Sequence, residues 1–278
     1  MTGRICVVAS LGLASLAIGA PTASASITLG QLSASAAADC GGGTTDLVQP
    51  TVTSGNSYIA PSDGTITSWS THGGTSGLTG SAKLKVFRKV GEPVKYRAVA
   101  QDAFRTLTGS GLQTFNVTLG GIQTGDVLGL TFATHTGCQF PVPGDAFFSR
   151  AGDLSNGQDG NFNIGPGFRT DISATFDPSH KFTVGAVTRN KKRGTATLTL
   201  TVPGPGQVTL SGNGVKGAGT LIPVAAKGDV GVPIKATGKK RTKLFDTGKV
   251  TLNVGISYTP SGGSAGTAAT KVKLKKKV

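Results

Sequence analysis

Three histidines, His72, His135 and His180, are the first place to look for catalysis, and they lie far apart along the chain. No serine sits in a G-x-S-x-G elbow, no H-E-x-x-H pair is present, and no glycine loop has P-loop spacing. A Ser-His-Asp set could assemble in space, but a chain this rich in Ser and Asp makes that argument empty. Glycosidases need two facing carboxylates. The single glutamate, Glu92, stands beside Pro93 in a turn-like stretch. The chain therefore reads as non-enzymatic, with a secreted hydrolase centred on the Asp145–Asp171 region as an alternative.

Residues suited to binding are more numerous. Asp153, Asn156, Asp159 and Asn161 fall in one glycine-rich loop and are hard oxygen donors of the kind calcium takes. Their spacing is not that of an EF-hand, and Asx-rich loops also exist simply to make turns. No other cofactor is expected, because nothing supplies four soft ligands at zinc-finger spacing. Trp69 is the only tryptophan, and it shares the candidate strand Thr65–His72 with Ile66. Regular alternation puts these two on opposite faces. An outward Trp69, with His72 beside it, would suit stacking on a sugar ring and a lectin-like role. Core packing, through a bulge or with both faces of the strand covered, is the competing reading.

Cations form three clusters. Arg189, Lys191, Lys192 and Arg193 make the first, and Lys239, Lys240, Arg241 and Lys243 the second. Lys271, Lys273, Lys275, Lys276 and Lys277 make the third. Residues 26–178 hold 9 Lys and Arg against 11 Asp and Glu, whereas residues 179–278 hold 18 against 2. The last hundred residues thus carry more positive charge than the formal +15 of the whole chain, and residues 26–178 are slightly acidic. Such a surface suits an anionic cell-wall polymer or polysaccharide. Aromatics for base stacking are scarce there, so nucleic acid is not expected. Lysines on turns and strand edges also serve solubility by blocking edge-to-edge pairing.

The elements that must carry these residues are strands. Thr195–Val202 alternates Thr outward with Ala196, Leu198, Leu200 and Val202 inward, and Pro203 to Gly206 stops it. Val250, Leu252, Val254, Ile256 and Tyr258 make a second alternating face. Seven candidate strands in 179–278 match an immunoglobulin-like β-sandwich. Eight in 26–178 suit a jelly-roll-like β-sandwich, the first at Ser57–Ala60. One weak helical turn is expected at Gln31–Ala38 and little helix elsewhere. The fold class is therefore all-β, with the domains meeting near Asp177-Pro178.

Residues 1–25 have the pattern of a signal peptide: Arg4, an apolar run, and Ala23-Ser24-Ala25 as an A-x-A cleavage site. A secreted, extracellular and wall-associated protein follows as the expectation, with no transmembrane segment. Removing Cys6 leaves Cys40 and Cys138, an even pair that suits one disulfide.

Phe182 to Gly206, with Tyr258-Thr-Pro-Ser-Gly-Gly and the lysines from Lys271, resembles a C-terminal module of secreted actinobacterial two-domain β proteins. Gly64-Thr-Ile-Thr-Ser-Trp-Ser and Gly125-Asp-Val-Leu-Gly-Leu are similar to an N-terminal β-sandwich of the same group. The resemblance implies an extracellular location and an Ig-like second domain, and it brings no catalytic motif.

Overall fold

The computed structural model describes residues 25–35 and 38–277. The export segment and Cys6 lie outside them, apart from Ala25. The protein is all-β, with antiparallel pairing throughout and one short helix. Its buried apolar side chains fall into two clusters, one drawn from residues up to Phe176 and one from Ala196 onward.

The first part of the chain runs β1 Ile27–Gln31, β2 Ala38–Cys40, β3 Thr45–Thr51, β4 Gly64–Gly73 and β5 Gly80–Gly91. It continues with β6 Lys95–Gln101, β7 Arg105–Leu107, β8 Leu112–Ile122, β9 Val127–Thr134 and β10 Thr136–Ala151. The short β11 Asp159–Asn161, then β12 Asn163–Thr170 and β13 Ile172–Pro178, complete it. One run of strands is β8-β4-β13-β1 and the other is β12-β10-β3-β9-β5-β6-β11. They join where β4 and β10 pair at Gly73–Thr136 and His72–Gly137. Leu47, Leu84 and Leu130 from the second run share a core with Ile66, Trp69, Ala174 and Phe176 from the first.

Several sequence expectations change here. Ser57–Ala60 is not a strand and contributes only a bridge from Ile59 to Val127. Gln31 ends a strand, and residues 32–35 are not helical. Strands β1, β2 and β3 precede the first expected one. β3 escapes sequence reading because Asp46, Gln49 and Pro50 interrupt its apolar alternation, although Asp46 and Gln49 are themselves buried, and β1 and β2 are only five and three residues long. The disulfide Cys40–Cys138 is present, with Cα atoms 5.8 Å apart. Cys138 lies within β10, and Cys40 closes a strand paired to it.

The second part contains β14 Thr183–Asn190, β15 Thr195–Val202, β16 Gly206–Ser211, β17 Leu221–Val224 and β18 Gly228–Ile234. Helix α1 Gly238–Thr247 follows, then β19 Lys249–Pro260 and β20 Gly266–Lys275. A three-stranded sheet β14-β15-β18 faces a four-stranded sheet β17-β16-β19-β20. All seven expected strands are present, because here every inward position is apolar and every turn is marked by Gly or Pro. Helix α1 is the departure, and it carries the second lysine cluster. It buries only Leu244, so no helical periodicity marks it. Gly248, left-handed at φ 67°, terminates it.

Candidate anion-binding surface

Three basic segments that are distant in sequence meet at one end of the second sandwich. The β14–β15 turn presents Lys191, Lys192 and Arg193. Asn190 closes it by accepting the Arg193 N–H through its side chain at 3.0 Å and the Gly194 N–H through its carbonyl at 2.9 Å. The chain's end lies against this turn, with the Lys277 N–H bonded to the Lys191 carbonyl at 2.9 Å. Arg189 Nε donates to the Lys273 carbonyl at 2.8 Å, so β14 and β20 are tied at the same end. Helix α1 completes the group. Arg241 and Lys276 lie 5.4 and 4.9 Å from the centre of the Phe245 ring, which joins the second cluster to the third.

Between these segments run shallow polar grooves. One of about 640 Å³ lies between Arg189, Lys191, Arg193 and Lys277. Another of about 490 Å³ is bordered by Lys191, Lys249, Lys273, Lys275 and Lys276. A narrower one, about 260 Å³, adds Lys216 and Lys235 to Arg193 and Arg241, with Leu244 and Phe245 beneath. Lys216 and Lys235 escaped sequence reasoning because each stands alone in its segment. The bond from the Lys216 N–H to the Lys235 carbonyl, 2.8 Å, and the bridge between Val215 and Ala236 bring them together. Lys239, Lys240 and Lys243 occupy the helix rather than a turn. Residues 179–278 offer only Asp229 and Asp246 as carboxylates. Among the described residues, no ion pair neutralises any cation of this surface.

The other expected site residues lie elsewhere. Trp69 is buried, and so is Ile66. The register of β4 shifts between Ile66 and Ser68 against both of its neighbours, a bulge that turns the two side chains into the same core. Trp69 Nε1 donates to Asp102 Oδ2 at 2.9 Å, and its ring lies 4.8 Å from that of Phe115. It has no face for a sugar. His72 is also buried, its Nδ1 2.9 Å from Asp171 Oδ2. Asp171 further accepts the N–H groups of Ser33 and His72, so it pins the end of β1 to β4. Burial raises the Asp171 carboxyl above its ordinary range against the opposing pull of these bonds.

The Asx-rich loop is committed to internal partners. Asp153 pairs with Lys83 and Lys85 at 2.8 and 2.6 Å, while Asp159 sits in β11 and pairs with Arg97 at 2.6 Å. Asn156 is exposed ahead of β11 and Asn161 is exposed at its end. Among the described residues, no three His, Cys, Asp or Glu side chains gather as a metal site.

The two sandwiches meet around Asp63. Its carboxylate accepts Lys227 Nζ at 2.7 Å and the Thr124 N–H at 3.0 Å. Its own N–H donates to the Pro203 carbonyl at 3.0 Å. Burial pushes the Asp63 carboxyl up, but Lys227 and Thr124 outweigh it and hold the group below its ordinary range. Among the described residues, no helix is long and apolar enough to cross a membrane. The chain matches no protein-family model, no curated protein and no solved structure.

Proposed function

We propose that this is a non-enzymatic, secreted β protein whose second sandwich holds it to an anionic polymer of the cell envelope. The observation that carries this reading is the convergence of the three basic segments on one end, with no carboxylate among the described residues paired to them. A solvated charge run made only for solubility has no need to gather, since gathered like charges repel. Shallow, open grooves between lysines suit an extended chain of repeated negative charge better than a single small ligand. The order β14-β15-β18 against β17-β16-β19-β20 supports an Ig-like module, with three strands A-B-E facing C′-C-F-G. The first, jelly-roll-like sandwich is the part held out from the envelope. The signal-like segment and the Cys40–Cys138 bridge support an oxidising, extracellular setting.

Purified mature protein is expected to bind isolated cell-wall material and to be released by salt, because exposed charges are screened beyond a Debye length. A variant with Lys191, Lys192, Arg193, Lys275, Lys276 and Lys277 changed to Gln is expected to lose that binding while keeping its sheet spectrum. Wall binding unaffected by these changes, or by salt, contradicts the reading.

A further inference from the structure

Lys85 is a fully buried lysine inside the first sandwich, and two carboxylates reach it. Its Nζ lies 2.6 Å from Asp46 Oδ1 and 2.6 Å from Asp153 Oδ1. Both Lys85 and Asp46 have no side-chain exposure. The strand register explains how they meet. Asp46 on β3 stands opposite Thr131 on β9, and Thr131 stands opposite Lys83 on β5, so Asp46, Thr131, Lys83 and Lys85 share one face of three adjacent strands. Lys85 itself stands opposite Gly129, which has no side chain to block the way across β9. The Asx-rich loop then closes over this face. It brings in Asp153, and the Leu154 N–H donates to Asp46 Oδ2 at 2.9 Å. Apolar rings border the group: the Phe87 centroid is 5.7 Å from Lys85 Nζ, and Phe162 packs edge-on against Phe87.

A buried ion pair is weak evidence for stability, since desolvation offsets most of the attraction. The same arrangement is, however, suited to forming a bond. We propose that Lys85 Nζ and Asp46 Cγ are joined by an intramolecular amide that the folded chain makes by itself. Asp153 Oδ1 takes one proton from the Lys85 ammonium and passes it to Asp46 Oδ1, leaving a neutral amine against a neutral carboxyl group. The nitrogen lone pair attacks Cγ, and the charge that develops on Oδ2 is held by the Leu154 N–H, as an oxyanion is. Oδ1 is the leaving oxygen. It already accepts the Thr131 hydroxyl at 2.6 Å. Oδ1, which already carries the first proton, takes a second from nitrogen. The C–O bond breaks and one water departs. The C–N bond replaces an ammonium and a carboxylate, Asp153 ends as it began, and no oxidant or other reactant is required. Confinement supplies the rate, because both reacting groups are held in contact with water excluded. Lys83 Nζ, 2.8 Å from Asp153 Oδ2, holds the base in place and keeps its carboxyl ionised against the effect of burial. The product ties β3 to β5 across β9 and adds a second covalent clamp to the sandwich that holds the disulfide.

The test is mass spectrometry of the full chain purified after folding. Tryptic digestion is expected to yield a branched peptide, lighter by one water than its two arms. In it, residues 84–88, uncut at Lys85, are joined to the fragment ending at Lys83, and fragmentation locates the bond at Asp46. Asp153→Asn, checked for folding by circular dichroism, is expected to lose the branched peptide, and Lys85→Arg must lose it. Cleavage at Lys85 with unbranched products at full mass overturns the proposal. So does a water loss that maps to Asp63-Gly64 or Asp159-Gly160, the Asp-Gly steps able to cyclise on their own. A branch between Lys85 and Asp153 would overturn the assignment of Asp46 as the acceptor, and a link retained in Asp153→Asn would overturn that of Asp153 as the base.

Discussion

The two sandwiches use charge in opposite ways. In the first, eight of the nine Lys and Arg residues pair with a carboxylate: Lys83, Lys85, Arg88, Lys89, Lys95, Arg97, Arg105 and Arg169. In the second, one of eighteen does so among the described residues, and that one, Lys227, pairs with Asp63 of the first sandwich. Charge in the first sandwich is internal architecture that holds strands and loops in register. Charge in the second is turned outward and gathered. The contrast teaches that net charge alone says little: a nearly neutral unit can be dense in ionic contacts, and a basic one can have almost none.

The largest expected effect breaks the first half of this contrast. Arg169 and Asp145 are both buried, and Asp145 also accepts from the Thr53 N–H and hydroxyl. Asp145→Ala strands a buried guanidinium and is expected to lower unfolding free energy by about 3–5 kcal/mol, read by denaturant titration. Replacing both Cys40 and Cys138 by Ser frees the long loop they close and is expected to cost about 2–5 kcal/mol, again in the first sandwich alone. The second sandwich has a smaller polar anchor. Tyr258 donates from its buried hydroxyl to the Gly204 carbonyl at 2.8 Å, and burial pushes that hydroxyl's pKa up to about 12. Tyr258→Phe is expected to cost about 1 kcal/mol.

Acid tests the link between the two units. Because the folded Asp63 carboxyl lies below its unfolded value, its contribution is full above the ordinary carboxylate range and is lost as pH falls through the folded value. The denaturation midpoint is expected to drop between about pH 5 and about pH 3, and to drop less in Asp63→Asn. The smallest effect belongs to the exposed cluster. Lys191, Lys192 and Arg193 changed to Gln are expected to shift stability by no more than about 0.5 kcal/mol.

Legibility in the sequence divides along the same line. The second sandwich was readable strand by strand, since Ala196 to Val202 and Val250 to Tyr258 put apolar residues at every inward position. The first resisted. Its sheet faces bury Asp46, Gln49, Thr131, Lys83 and Lys85, and buried polar residues erase the alternation that marks a strand. Asp153 offered oxygen chemistry, but its partners are lysines some 70 positions earlier, a pairing that only tertiary structure creates. For Trp69 and Ile66 the spacing leaves both an outward and a buried tryptophan open, because a bulge leaves no trace in local spacing. The three lysine clusters were visible one by one, whereas their convergence, and the share taken by Lys216 and Lys235, came only from the fold.

The most direct test of the central claim is the salt dependence of binding to isolated wall polymer. It would be compared across wild type and three variants, each with one basic cluster changed to Gln. If the clusters form one surface, each variant binds more weakly and each loses part of the salt dependence, while Lys89, Lys95 and Arg97 changed to Gln alter neither. Equal binding and equal salt dependence in all of these proteins would contradict it.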